Sequence, residues 1–342
     1  MTASAPGEPA PARGKAASGF GLFRLSIEGR HAPALFVGGW LGTLVGAGLA
    51  AIGLIAGPSL ATAVVLLAGL GLLSIGLVLL GGSQAIERQA AGAAYGGPSP
   101  VLLFAATITA TLLVASLVGI VLEALGISFG PSDRAIGDLV SVFVQAVVFI
   151  GMVRLMVVGS GALSWSEMGF TGDRQRVIGG LASGVLLAVP VIVLTSLVAL
   201  VVVPLVGATP PSPLPATGTS TGFGLHLIAG AGVAPFAEET VFRGAALTAW
   251  LRSVGPTAAI TRTAILFAAA HVLPIGGGTF DQAAGLAFVA TAARLPVAFA
   301  LGWLYVRTRT IWAPIGLHVA FNGILISLGE LGVAAEPGIL LG

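Results

Sequence analysis

The chain is predicted to be an all-α polytopic membrane protein of about nine transmembrane helices, and three observations carry that expectation. Hydrophobic residues make up 56% of its 342 positions and charged residues only 8%, where soluble domains run near a quarter charged. Mean hydropathy is +1.04. Apolar stretches of about 20 residues, the length that crosses a hydrocarbon core, recur at roughly 34–56, 60–82, 101–124, 138–162, 177–207, 222–250, 256–274, 282–306 and 311–331.

Residues 1–33 precede the first stretch. To about 19 they are rich in Ala, Pro, Gly and Ser without apolar periodicity, which predicts disorder, and no signal-peptide core follows the start. Phe20, Phe23 and Ile27 recur beside Arg24 and Arg30, as in a short helix lying on a membrane surface. The first two spans are joined by little more than Gly57-Pro58-Ser59 and carry no ionisable group. Gly38, Gly42 and Gly46 repeat every fourth residue, a spacing that lets membrane helices approach closely. Residues 34–160 are therefore read as accessory helices. The Pro-rich run from Thr209 to Pro215 is expected to be a stiff external linker before the spans that hold the chemistry. A short tail, 331–342, ends the chain.

Charge sets the orientation and excludes one class of partner. A net charge of +2 over this length is no nucleic-acid footprint, and the absence of cysteine excludes disulfides and thiolate-bound metals. With the amino terminus inside, one side collects Arg13, Lys15, Arg24, Arg30, Arg88, Arg174, Arg176, Arg252, Arg262, Arg307 and Arg309, and the other only Arg134. By the positive-inside rule the amino terminus is cytoplasmic and the carboxyl terminus, after an odd number of spans, lies outside. The preference for Arg over Lys, with abundant Ala and Gly, points to a bacterial plasma membrane.

Three polar clusters sit inside late apolar segments: Glu238-Glu239-x-x-x-Arg243, Phe267-x-x-x-His271 and His318-x-x-x-Asn322. Ionisable groups at membrane depth are functional-site candidates by default. Glu239 and Arg243 stand at i,i+4 with the acid first, the favoured orientation for a helical ion pair, so both are assigned to structural support of the site. Glu238 has Phe242 at that spacing and is left free for chemistry. Hydrolysis of an amide needs a base for water, donors for the oxyanion and a proton for the leaving amine. Glu238 and His271 suit the first task, and His318 with Asn322 the second. No cofactor is required by this assignment. A zinc ion held by Glu238, His271 and His318 is the alternative, since two His and one Glu form a catalytic ligand set. His271 lies nine residues after Arg262 and His318 nine after Arg309, about 13 Å along a helix, whereas Glu238 lies fourteen before Arg252, about 21 Å. Glu238 is thus deeper than the histidines if its helix is straight, and level with them if that helix tilts or ends early.

The remaining buried-type charges receive plainer readings. Glu123, Arg154, Arg294 and Glu330 read as snorkelling or helix-pairing groups, His226 as a residue at the outer interface, and His31 as solvated.

At Glu-Glu-Thr-Val-Phe-Arg-Gly from 238 to 244, Phe267-Ala-Ala-Ala-His271 and His318-Val-Ala-Phe-Asn322 the chain resembles the CAAX protease and bacteriocin-processing family of intramembrane peptidases, also called Abi. The stretches 163–170, 302–308 and 311–318 resemble flanking parts of that family. The resemblance implies a CAAX-protease-like helical core in the carboxyl-terminal half, over 161–330. It implies an intramembrane endopeptidase, of glutamate or metallo type, acting on a membrane-associated protein or peptide. By the same likeness Glu238 and His271 activate water, and His318 and Asn322 form the oxyanion hole. Two other readings stand beside it: a non-catalytic immunity or scaffold protein that keeps the core, and a transporter with a proton relay, for which no internal repeat is found.

Overall fold

The computed structural model describes residues 29–334, apart from 208, 211, 213, 274, 275 and 277. The amino-terminal tail expected over 1–28 and the chain beyond 334 lie outside the described residues. Among the described residues nine helices follow in order: α1 (Pro33–Ile55), α2 (Leu60–Ala90), α3 (Pro100–Ala124), α4 (Arg134–Val158), α5 (Arg174–Val206), α6 (220–251), α7 (Pro256–Ala270), α8 (Phe280–Thr308) and α9 (Trp312–Ala334). No strand occurs among the described residues. The protein is an all-helical polytopic membrane protein.

The starts of these helices follow from local chemistry. Proline, which has no N–H to lose, occupies the first turn of α1, α3 and α7. The side chains of Ser59, Ser99, Asp173, Thr219 and Thr279 cap the exposed N–H groups of α2, α3, α5, α6 and α8. Among the described residues seven helices are long and apolar enough to cross a membrane. Of the other two, α6 carries Glu238, Glu239 and Arg243, and α7 has 15 residues, about 22 Å of rise against a core of about 30 Å. Its expected extent, to 274, is too long: the helix stops at Ala270 and His271 caps it.

Lipid, not water, explains the outer surface. Leu186, Val189, Leu197, Leu200 and Leu205 of α5 are exposed, and an apolar face left outward on so hydrophobic a helix needs a hydrocarbon solvent. α1 and α2 lie antiparallel with backbones almost touching. The small residues at the contact are Gly39, Gly42 and Gly46 against Leu80, Gly76 and Leu73, whereas Gly38 is off the seam and a methyl there would meet only Leu79, at 3.8 Å. The contact thus alternates three- and four-residue steps, as a helix of 3.6 residues per turn requires.

The central element is α6. Two π-helical segments, Leu227–Val233 and Thr240–Leu247, interrupt it. π-bulges cluster at functional sites because they re-aim side chains. α3, α4, α7 and α9 pack around it, and one apolar cluster joins Leu103 of α3, Phe149 and Met152 of α4, Val241 and Phe242 of α6 and Phe267 of α7. α8 lies against α5 and α7, and α9 crosses α5 closely at Gly184 and Gly316.

The turn between α4 and α5 ties the helix ends together. Ser164 donates its N–H and hydroxyl to Glu167 Oε2, at 2.7 and 2.8 Å, and Arg252 at the end of α6 donates to Glu167 Oε1 at 2.6 Å. These bonds, those of Ser164 first, hold the Glu167 carboxyl down at about 2, well below its ordinary 4.5. Gly169, at φ +84°, accepts from Ile311 N at 3.1 Å, an approach that a Cβ would obstruct.

Candidate active site

Glu238 and Glu239 sit at the α-helical centre of α6, between its two π segments. Adjacent residues on a helix point about 100° apart, so the two carboxylates enter different surroundings. Glu239 is fully buried and its Oε1 is shared: Arg243 Nη1 donates at 2.9 Å and His318 Nδ1 at 2.8 Å. The i,i+4 pair with Arg243 is present, and Glu239 additionally orients a histidine 79 positions away. Arg243 is itself closed in, with Nη2 donating to the carbonyl of Ala298 in α8 at 3.1 Å.

Glu238 has no such tie. Its Oε2 is buried without a hydrogen-bond partner, and it stands 3.9 Å from His271 Nε2 and 3.9 Å from His318 Nε2. Side-chain exposure falls from 25% at His271 to 12% at Glu238 and 6% at His318, so the cluster opens on the His271 side. The three groups meet, as they do only if the helix of Glu238 departs from a straight α-helix. A π segment rises less per residue than an α-helix, and one of them occupies eight of the residues between Glu238 and Arg252.

Each histidine is oriented by its other nitrogen. His271 Nδ1 lies 2.8 Å from the carbonyl of Phe267, one of the carbonyls a helix end leaves unpaired. Both Nδ1 atoms therefore carry hydrogen as donors, and in the neutral ring both Nε2 atoms face Glu238 with a lone pair. Phe267 is the packing post of the cluster. Its ring centroid is 4.6 Å from that of His271, 5.8 Å from that of His318 and 5.1 Å from that of Phe242, with the Arg243 guanidinium carbon 4.6 Å above its face. The sequence marks Phe267 only as part of a motif; nothing in its spacing reveals that it touches three helices' worth of site residues.

Asn322, one turn after His318, donates from Nδ2 to the carbonyl of Gly230 at 2.8 Å. The cause is Pro235. In a π register residue 235 would donate to Gly230, and proline has no N–H; Asn322 takes that carbonyl instead. One of its two amide hydrogens is thereby spent and one remains.

The other expected groups separate from this cluster. His226 is buried, at 1% exposure, rather than at an interface, because Asp138 of α4 meets its Nε2 at 3.1 Å. Glu330 accepts from the N–H and hydroxyl of Thr217, at 2.9 and 3.1 Å. His31 is exposed. A cavity lined by Phe170, Arg176, Ser183 and Arg309 shares no residue with the carboxylate cluster.

Residues 220–324 match the family described as Rce1-like, type II CAAX prenyl endopeptidase Rce1-like. The match runs from the first turn of α6 into α9 and contains all three polar motifs. No curated protein and no solved structure matches the chain.

Proposed function

We propose, from the premise that residues 220–324 belong to the Rce1-like family of type II CAAX prenyl endopeptidases, that the protein is an intramembrane endopeptidase. It hydrolyses a peptide bond of a membrane-associated protein or peptide with water activated by Glu238 and His271. The observation that carries the reading is the buried, partnerless Glu238 Oε2 facing two histidine Nε2 atoms at 3.9 Å. That distance is too long for a direct hydrogen bond and is one that a single shared water oxygen can bridge.

The reaction then proceeds in two proton transfers. A water between Glu238 and His271 attacks the carbonyl carbon while its proton passes to Glu238, and the carbonyl electron pair moves onto oxygen. His318 as an imidazolium donates Nε2–H to that oxyanion, with Glu239 opposite to stabilise the charge, and Asn322 adds its remaining N–H. Collapse of the intermediate breaks the C–N bond as Glu238 returns the proton to the leaving amine.

The donor set would also suit zinc, which would be held by Glu238, His271 and His318 and would supply a bound water of lowered pKa. As they stand, the 3.9 Å separations exceed the roughly 3.4 Å edge of a tetrahedron with bonds of about 2.05 Å, so we assign a glutamate-type, cofactor-free site. About one tightly held zinc per purified chain, with activity lost on chelation and regained with zinc, would overturn that assignment.

The test of the activity compares membrane proteomes of cells carrying wild type and Glu238→Gln. A peptide product present only with wild type is expected. An unchanged product set would favour the second reading, a scaffold or immunity protein, which draws on the buried Glu239–Arg243–His318 network as a structural polar core.

A further inference from the structure

Arg294 lies in α8, inside the family-matched stretch but outside the three motifs. Ala290, Val297, Ala298 and Leu301, at −4, +3, +4 and +7 from it, are all buried, so Arg294 stands on the inward face of α8. Four residues along that face, the Ala298 carbonyl receives Arg243, which puts Arg294 about 6 Å along the helix from the carbonyl that holds Arg243.

Yet this guanidinium is unmatched. Nη1 donates to the carbonyl of Ala290 at 3.1 Å, which leaves four of its five N–H donors. Among the described residues no carboxylate lies within 4.0 Å of it. Arg243 of α6, by contrast, is held by a carboxylate through Nη1 and by a carbonyl through Nη2. A lone cation at membrane depth is costly and rare, and an inward face is the wrong place for snorkelling. A direct bridge to Glu238 would satisfy it but would also hold that carboxylate ionised, and the geometry keeps the two apart.

We propose that Arg294 binds a carboxylate of the substrate beside the scissile bond, supplied by a free carboxyl terminus or by an acidic side chain. The inference rests on the peptidase reading and adds to it a substrate class. A guanidinium grips a carboxylate through two parallel N–H bonds, and in a water-poor site that pairing anchors the peptide while Glu238 stays free to move a proton. Arg294 is a binding residue in this scheme, not a group that takes part in bond making.

The test reads capture rather than turnover. Wild type, Arg294→Gln and Arg294→Lys, each in lipid nanodiscs and each checked for unchanged thermal stability, are exposed to randomised acyl-anchored heptapeptides. Three pools are used: free acids lacking Asp and Glu, the same peptides as carboxyl-terminal amides, and amides carrying one Asp. Wild type is expected to enrich the free acids or the Asp amides at least tenfold over the plain amides, and whichever pool is enriched names the source. Arg294→Gln should lose the preference and Arg294→Lys keep part of it. Equal capture of all pools by wild type, including capture no better than empty nanodiscs, overturns the proposal, as does a preference that survives Arg294→Gln. Acid-selective capture without any Glu238-dependent cleavage would instead sink the peptidase reading and leave the carboxylate site standing.

Discussion

Two neighbouring carboxylates, Glu238 and Glu239, enter different surroundings because adjacent helical residues point about 100° apart. Glu238→Gln keeps the shape of its side chain but cannot accept a proton. Turnover of the product peptide is expected to fall more than about 100-fold with the melting temperature in detergent unchanged, and retained turnover would remove Glu238 from the role of base. Arg243→Ala acts on the other carboxylate. Glu239 is fully buried and would keep only His318, so a loss of about 3 kcal/mol is expected in denaturant unfolding. Wild-type stability in that variant would show that the pair carries no structural weight. The Glu239–Arg243 pair was legible in the chain because i,i+4 spacing is local. The second bond of Glu239, to His318, was not, because no local rule links positions 79 apart.

At the level of elements, α6 owes its shape to a proline that withholds a donor and an asparagine from α9 that replaces it. Asn322→Ala should leave the Gly230 carbonyl unmatched and cost about 1–3 kcal/mol. Pro235→Ala restores an N–H in the same place, so in the double variant stability should recover while activity, which on the proposed mechanism draws on the second Asn322 hydrogen for the oxyanion, should not. Recovery of both would make Asn322 a helix brace and nothing more. The turn over 164–169 is expected to respond to acid. Glu167 has a folded-state pKa of about 2 against 4.5 unfolded, so its contribution is complete above about 4.5 and disappears as pH falls toward 2. At 46% side-chain exposure that contribution is at most about 1 kcal/mol, and Glu167→Gln should flatten the acid limb of stability over that window. An unaltered limb would mean that the Ser164 and Arg252 bonds do not persist in solution.

On the scale of the whole molecule, the arginine asymmetry predicts topology. A reporter fused after Gly342 is expected outside the cytoplasm and one fused after Gly92 inside it; both on one side would mean that α6 and α7 do not each cross. That outcome is a real contest, since α7 is only 15 residues long and α6 carries three charges. Composition and apolar run length determined the all-helical membrane class, because a bilayer admits only segments that satisfy their own backbone hydrogen bonds and expose apolar side chains. Spacing along single helices likewise determined which residues were candidates. What only the tertiary structure decided was how those candidates meet: the level alignment of Glu238 with two histidines, the Phe267 post, the Asn322 brace and the inward face of Arg294. Each depends on π turns, helix ends and crossings between segments far apart in the chain, and such contacts are set by packing between helices rather than by the order of residues within one.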